Sequence, residues 1–300
     1  MIAILILVPL AAAAVFVARF DPNAYKPEIA AAIEKATGRS LSLNGPLSLG
    51  ISLLPTISAA NVALANPPGF SRPEMATLAR LDARVALLPL LSGRIEIRRL
   101  VLVRPDIAIE IDGAGQSNLS FAPVGPVAAH AAPGLAEPAP AAAGAVKPVA
   151  IDIQAIGIQN GKLSWQDDRS GRHGVLVLRS FSAASEAAGG PLAIAADGDY
   201  GGIHFTLEGT AGPLSRLTTS DTATPWPVQL AVVAGSARVS VAGSLTNPTA
   251  GRGYQLELNA TLPTLEQLAP LLPGAKLPAL HGIVVSAHLA DAGNGLPQVS

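Results

Sequence analysis

The segment from Ala79 to Asp112 carries the most regular pattern in the chain, an alternation of apolar and polar residues with a period of two. Side chains on a β-strand point alternately to its two faces, so the pattern predicts strands with one apolar and one polar face. The apolar positions of its first half are Ala79, Leu81, Ala83, Val85 and Leu87. Those of its second half are Ile95, Ile97, Ile107, Ile109 and Ile111. The segment therefore predicts a one-sided antiparallel sheet whose apolar face needs a covering partner.

Two places interrupt this alternation. The adjacent arginines Arg98 and Arg99 shift the phase of the pattern, which predicts a β-bulge, an extra residue in one strand of a pair. Pro105 lies between two apolar stretches, and the sequence is compatible both with a turn there and with a kink in one long strand. The number of strands in the segment therefore stays open.

Similar alternation predicts strands elsewhere in the chain. The predicted strands cover residues 39–44, 46–53, 57–65, 162–167, 203–209, 237–243, 254–262 and 282–289. Their apolar positions include Ile203, Phe205 and Leu207 in one strand and Leu256 and Leu258 in another. We expect these side chains to extend the apolar face of the sheet.

Two short helices accompany the predicted strands. The first covers residues 21–38, where Tyr25, Ile29 and Ile33 fall four apart and share one face. We expect that face to cover the end of the sheet; a position on a lipid surface is the alternative. A capping-box sequence predicts the second helix over residues 264–272.

Residues 2–18 form an uninterrupted apolar run. As a helix the run would be roughly 25 Å long, near the lower limit for crossing a bilayer, and we interpret it as a membrane anchor within residues 1–20. The anchor residues are Ile2, Ile4, Leu5, Leu7, Val15, Phe16 and Val17. A cleaved signal peptide, with small residues at 11–14 for the cleavage site, is the alternative. Arg19 and Lys26 follow the run, so the positive-inside rule alone would place the rest of the chain in the cytoplasm.

Residues 122–149 are rich in alanine and proline and almost free of charge. Such a composition cannot bury a core, and it predicts a flexible linker or loop. It separates a helix-and-sheet region at 21–121, which follows the anchor at 1–20, from a second β-rich region at 150–300. The second region stops within strand-like sequence, so we expect it to be truncated at its C-terminus.

Composition and motifs argue against most kinds of chemistry. The net charge is −1, from 20 basic and 21 acidic residues, so the chain lacks the basic surplus of a nucleic-acid-binding protein. It has no cysteine, its five histidines share no metal-binding spacing, and no catalytic motif occurs. The aspartates Asp167, Asp168, Asp197 and Asp199 have turn-like positions, and the glycosylation-like sequence at Asn118 is interpreted as a chance match. We expect no nucleic-acid partner, no metal, no cofactor and no enzymatic activity.

A sheet with one continuous apolar face has two physical fates. It can pack on another sheet to form a sandwich core. It can also stay open as a groove that holds hydrocarbon chains, which need apolar area rather than hydrogen-bond donors. The residue pattern alone does not decide between the two.

Several stretches together resemble the AsmA family of Gram-negative envelope proteins. They are DPNAYKPEI and ATGR within residues 21–39, ALANPPGF at 63–70, ALLPLLSGRIEI at 86–97 and IQNGKLSWQDDRSG at 158–171. The resemblance implies a mainly β protein with an N-terminal transmembrane helix and a short amphipathic helix. An elongated, twisted antiparallel sheet would follow and curl into an apolar, taco-like groove.

The same resemblance implies a location and a function. The protein would be a single-pass inner-membrane protein with most of its chain in the periplasm, where it would take part in outer-membrane biogenesis. Phospholipid would be its partner, moving along the groove between membranes; a scaffold that assists outer-membrane protein assembly, with other envelope proteins as partners, is the alternative. The candidate groove-lining residues are Val85, Leu87, Ile95, Ile97, Ile107, Ile109, Ile111, Ile203, Phe205, Leu207, Leu256 and Leu258.

Overall fold

A computed structural model of the protein describes residues 21–50, 54–86, 95–121, 151–187, 189–217, 224–248, 252–264, 278–291 and 297–299. The predicted anchor, the Ala/Pro-rich segment and Leu87 lie outside these ranges. So does the helix predicted at 264–272, apart from Thr264, which ends a strand. Within the described ranges no helix combines the length and hydrophobicity needed to cross a bilayer.

The first described element is a 3-10 turn, Pro22–Tyr25, which leads directly into helix α1, Lys26–Thr37. Gly38 ends the helix in the left-handed conformation (φ 70°), as glycine commonly does after a last helical turn. Helix α1 contacts the first strand, so it lies at one edge of the sheet as the sequence predicts. Its apolar stripe is only partly covered, because Tyr25 and Ile29 are 50% and 38% exposed.

The remaining described elements are strands, apart from a second 3-10 turn at Leu214–Leu217. The strands are β1 (Leu41–Leu43), β2 (Leu47–Gly50), β3 (Thr56–Ala65), β4 (Glu74–Val85), β5 (Ile95–Ile111), β6 (Ile151–Ile153), β7 (Ala155–Asp167), β8 (Arg172–Ala184), β9 (Leu192–Tyr200), β10 (Ile203–Ala211), β11 (Trp226–Ala234), β12 (Ala237–Asn247), β13 (Arg252–Thr264), β14 (His281–Asp291) and β15 (Pro297–Val299).

All fifteen strands belong to one open, twisted sheet. Thirteen of them follow one another in a single path, β1-β3-β4-β5-β7 and then in chain order to β15, with β2 beside β3 and β6 beside β5. The pairings are antiparallel except that β5 runs parallel to β6 and β7. Parallel neighbours need a long connection, and the chain from 112 to 150 supplies it. The regions on either side of residues 122–149 therefore share one sheet.

The predicted mainly β architecture is confirmed. Each strand predicted from alternation overlaps a strand of the sheet, although the strand predicted at 162–167 covers only the second half of β7. The segment from Ala79 to Asp112 forms most of β4 and all of β5. The bulge is confirmed as well: Arg84 pairs with Arg99 and Val85 with Ile97, so Arg98 has no partner in β4. Pro105 does not turn the chain, because it lies inside the single strand β5.

Three residues with an irregular backbone lie in a row that crosses five neighbouring strands. Asn61, Arg104 and Asn160 have φ angles of 48°, 49° and 52°, a left-handed conformation that is uncommon outside glycine. The pairings on either side align these three residues with Ala79 in β4 and Arg179 in β8. We call the set Asn61, Ala79, Arg104, Asn160 and Arg179 the bulge row.

The bulge row changes the phase of the alternation in every strand that it crosses. Leu78 and Leu81, three residues apart in β4, pack on the same buried cluster. Ile158 and Gly161 in β7 share a face too, since a Cβ on Gly161 would lie 2.7 Å from Ile158 Cγ2. Apolar positions thus step by three across the row instead of by two, and bulged strands bend locally. The sheet can bend at this line while its apolar side chains stay on one face.

We expect Asn160→Ala to lower the free energy of unfolding by about 1 kcal/mol, because alanine adopts the left-handed conformation less readily than asparagine. Asn160→Gly is expected to leave it nearly unchanged, since glycine accepts positive φ without steric cost. Urea unfolding followed by circular dichroism measures both. Gln159→Ala, at the preceding residue, is the matched control; equal losses for Gln159→Ala and Asn160→Ala would contradict the strain at the bulge row.

Candidate functional site

Residues that pair directly across neighbouring strands point to the same face of a sheet, so the register assigns every strand's side chains to one of two faces. In β12 to β14, Val241 pairs with Leu258, and Leu258 with Ala287. In β9 to β11, Leu207 pairs with both Ala196 and Val232. Such pairs run from β4 to β14 and define what we call the apolar face.

Ten of the twelve candidate groove-lining residues lie on the apolar face. They are Val85, Ile97, Ile107, Ile109, Ile111, Ile203, Phe205, Leu207, Leu256 and Leu258. Ile95 pairs through its backbone with Ile151, and Leu87 is outside the described residues. The sequence pattern therefore selects residues from distant parts of the chain that share one surface.

Three strands of the same surface escape the sequence pattern. The structure adds β8, β9 and β11, which contribute apolar-face residues such as Leu176, Phe181, Ile194 and Leu230. In β8 the alternation is hidden because residues on the opposite face, such as Val177, are apolar too. A search for uninterrupted apolar runs between glycine-rich turns could have found these strands.

The apolar face is only half-covered. In β8, Leu176, Leu178 and Phe181 have intermediate exposure, whereas Val175 and Val177 on the opposite face are 43% and 41% exposed. Among the described elements, extensive contacts join strands that are neighbours in the sheet or link α1 and the first 3-10 turn to β1 and β2. The second 3-10 turn, Leu214–Leu217, contacts β6, on the far side of β7, β8 and β9. No second layer formed by described residues packs on this face, so a sandwich core is not observed there.

Aromatic side chains of the second region concentrate on the apolar face. The register places six of them there: Trp165, Phe181, Tyr200, Phe205, Trp226 and Tyr254. Trp165 covers Gly174 on the neighbouring strand, where a Cβ would lie 2.5 Å from the indole Nε1. Trp226 donates its indole N–H to the Pro213 carbonyl at 3.1 Å. Both tryptophans are thus held by contacts with neighbouring parts of the chain.

The opposite face carries the charged groups. Arg179 donates to Asp197 at 2.8 Å and to Asp199 at 2.5 Å, and these hydrogen bonds raise the pKa of its guanidinium above the ordinary value. His204 lies beside the same two carboxylates. Asp106 forms salt bridges with Arg72 and Lys162. The sheet is thus amphipathic, with a solvated charged face behind the apolar one.

Among the described residues, no three histidine, aspartate or glutamate side chains gather in a way that could hold a metal ion. The candidate functional site considered below is the apolar face.

Comparison with known proteins relates the chain to a protein family. The model of the AsmA family matches residues 1–191, well over half of the chain. The chain belongs to the AsmA family. No curated protein matches it. Membership confirms the resemblance found in the sequence and associates the chain with the bacterial envelope and outer-membrane biogenesis.

In this AsmA-family protein the buried apolar clusters lie near the two ends of the sheet. One contains Leu47, Ala59 and Val62 beside β1 to β4. The other contains Ala237, Ala260 and Leu262 in β12 and β13. Between these strands most described residues of the apolar face are only partly buried, although Ala183, Leu192 and Ala211 are buried at the ends of their strands.

Proposed function

We propose that this AsmA-family protein is a non-enzymatic phospholipid-handling protein that is anchored in the inner membrane by residues 1–20 and extends into the periplasm. Its apolar face would form a groove that binds acyl chains and conducts them between membranes during outer-membrane biogenesis. The observation that carries the proposal is the continuity of the half-covered apolar face across strand after strand of one open sheet.

The dimensions of the sheet support this proposal. Thirteen strands in one path, at about 4.8 Å per strand, give an apolar surface roughly 58 Å long. Acyl chains are non-directional ligands, and burial of their area provides roughly 25 cal/mol per Å² without hydrogen bonds. A surface lined by aliphatic and aromatic groups with its charges on the other face has the chemistry that such ligands require.

Site-specific photocrosslinking tests the proposal with an internal control. We expect a photoreactive amino acid at Leu176 to crosslink phospholipid in the envelope of a Gram-negative host. The same group at Val177 is expected to give little lipid adduct, because this adjacent apolar residue points to the opposite face and is 41% exposed. Mass spectrometry of the purified adducts measures the difference.

Equal lipid labelling at Leu176 and Val177 would indicate non-specific membrane contact and contradict the groove. Absence of lipid adducts at Leu176, Leu207 and Leu258 together would contradict lipid handling by this face altogether.

A scaffold that assists outer-membrane protein assembly is the second candidate function. It is favoured by strand β14. Within the described residues β14 pairs with β15 only over Leu289–Asp291, and Val284 of β14 is 73% exposed. Strand edges with unpaired backbone groups readily accept a further strand. A photoreactive group at Val284 would then crosslink an envelope protein, and lipid adducts at Leu176 would be missing.

A further inference from the structure

A cavity of about 300 Å³ lies where helix α1 ends, beside the β3–β4 connection and the chain that follows β5. Its walls come from three segments of sequence, within 37–39, 67–70 and 112–120. Pro67, Pro68 and Phe70 provide apolar walls, and the remainder of the lining is polar. The cavity therefore combines a surface for methylene groups with groups that can fix a polar ligand.

Arg39 is the cationic group of this cavity, and it is unusually buried, with 8% of its surface exposed. Its Nη2 donates to the carbonyls of Asn118 and Ser120 at 3.1 and 2.9 Å. Its guanidinium also lies 5.7 Å from the centre of the Phe121 ring. These contacts hold the chain after β5 against the end of α1.

The hydrogen bonds to Asn118 and Ser120 use only part of the Arg39 guanidinium. Both hydrogens of Nη2 are engaged, but Nε and Nη1 form no hydrogen bond with any residue that the structure describes, and neither is sealed off from solvent. No described carboxylate forms a salt bridge with Arg39. A buried cation without an opposing charge is costly, although the nearby C-terminus of α1 offsets part of that cost. An anionic group in the cavity would complete both the hydrogen bonds and the charge.

Asp112 lines the same cavity. Its Oδ1 accepts a hydrogen bond from the Gln116 backbone at 2.7 Å, which fixes the carboxylate in place. Asp112 and Arg39 do not form a salt bridge with each other, so each charge remains available to a ligand. Together they present a positive and a negative group on the walls of one cavity.

We infer that this cavity binds a phosphoethanolamine group, with Arg39 holding the phosphate and Asp112 the primary ammonium. The inference rests on the proposed function, because it assigns a headgroup class to the lipid that the apolar face carries. Guanidinium groups bind phosphate oxygens through paired N–H donors, and a carboxylate accepts hydrogen bonds from an ammonium. Soluble phosphoethanolamine shares this chemistry with the lipid headgroup.

The paired charges also determine which headgroups are disfavoured. A glycerol headgroup has no cation for Asp112, whose charge would then repel the phosphate. A choline headgroup has a cation without N–H groups, so it cannot donate a hydrogen bond to the carboxylate. Both headgroups leave a charged partner unsatisfied, which is how polar sites discriminate between similar ligands.

Competitive lipid loading tests the inference. The full chain in detergent is incubated with equal amounts of dioleoyl phosphatidylethanolamine, phosphatidylcholine and phosphatidylglycerol, purified again and analysed for bound lipid by mass spectrometry. The three lipids have identical acyl chains, so the total amount of bound lipid reports binding by the apolar face. The proportions of the three bound lipids report the headgroup preference of the cavity. We expect phosphatidylethanolamine to be enriched about fivefold over the other two.

Two variants and a control assign the enrichment to the cavity. Asp112→Asn keeps an acceptor for the Gln116 N–H and removes the charge, so we expect normal total lipid and no preference for phosphatidylethanolamine over phosphatidylcholine. Arg39→Lys keeps the charge, loses the guanidinium fork and is expected to reduce the enrichment too. Asp168→Asn, at a neighbouring turn outside the cavity, is expected to retain it.

Excess soluble phosphoethanolamine, added as a competitor, distinguishes binding of the free headgroup compound from binding of the intact lipid. Loss of the enrichment identifies a site that accepts the free headgroup, whereas persistence identifies a site that recognises it only as part of a lipid. Bound lipid in the supplied ratio, or an unchanged enrichment in Asp112→Asn, would overturn this inference and leave the proposed function intact. Absence of any bound lipid in the unmodified chain would overturn the proposed function itself.

Discussion

Leu256→Glu is expected to abolish phospholipid binding and to leave the sheet folded. Leu256 lies on the apolar face, between Gly243 on β12 and Leu289 on β14, and is only partly buried. A carboxylate at this position can reach water in the lipid-free protein, so we expect the free energy of unfolding to fall by only about 1–2 kcal/mol. Acyl chains would strip that water away, and burial of an unpaired charge costs several kcal/mol. Lipid recovered with the purified protein measures binding, and urea unfolding measures stability.

The matched control is Gln255→Glu, which introduces the same charge at the adjacent residue on the exposed opposite face. We expect this variant to bind as much lipid as the unmodified protein. Ile109→Glu, opposite Trp165 at the far end of the apolar face, is expected to behave like Leu256→Glu. If Leu256→Glu bound normal amounts of lipid, the acyl chains would lie elsewhere. If it failed to fold, the face would be a closed core.

The parts of the fold that follow from local chemistry were predictable. Period-two alternation predicts strands because neighbouring side chains in a strand face opposite environments, and it correctly predicts β4, β5, β10, β12, β13 and β14. The doubled arginines correctly predict a bulge, since two polar residues in succession cannot both occupy the polar phase of a regular strand. These signals depend only on residues close in sequence.

The parts that depend on residues distant in sequence were not predictable in the same way. Nothing in the local pattern indicates that β7 lies parallel to β5, because the same one-faced strand suits either orientation. The bulge row requires left-handed residues in β3, β5 and β7 to align, and Arg104 and Asn160 become neighbours only through that parallel pairing. The cavity at Arg39 likewise joins segments that are up to about eighty positions apart.

The Asn118 side chain shows how such distant contacts complete the sheet. Strand β4 pairs with β5 only as far as Ile107, so the last residues of β5 need another partner on that side. Asn118 supplies it: its backbone N–H donates to the Glu110 carbonyl at 3.0 Å, and its side-chain Oδ1 accepts from the Glu110 N–H at 2.9 Å. Its Nδ2 donates to the carbonyl of Ala108 at 2.8 Å and to the side chain of Asn66 at 3.1 Å.

Asn118→Ala is therefore expected to cause the largest loss of stability of any single substitution considered for this protein. Asn118 is 0% exposed, and its removal would leave the Glu110 N–H and the Ala108 carbonyl buried without their partner. Each unsatisfied buried group costs about 1–3 kcal/mol, so we expect the free energy of unfolding to fall by about 3–5 kcal/mol. Folded domains have only about 5–15 kcal/mol in total, and urea unfolding followed by circular dichroism would register the change.

Leu119→Ala is the control, because Leu119 is the next residue and is 44% exposed. We expect it to change the free energy of unfolding by less than about 0.5 kcal/mol, as is usual for surface positions.

The Asn118→Ala substitution should also have a specific local consequence. The Asn118 backbone carbonyl accepts a hydrogen bond from Arg39. Displacement of the chain after β5 would break this hydrogen bond and expose the amides of residues 108–110 to hydrogen exchange. Equal stability of Asn118→Ala and Leu119→Ala, with those amides still protected, would show that the last residues of β5 do not need this side chain on their β4 side.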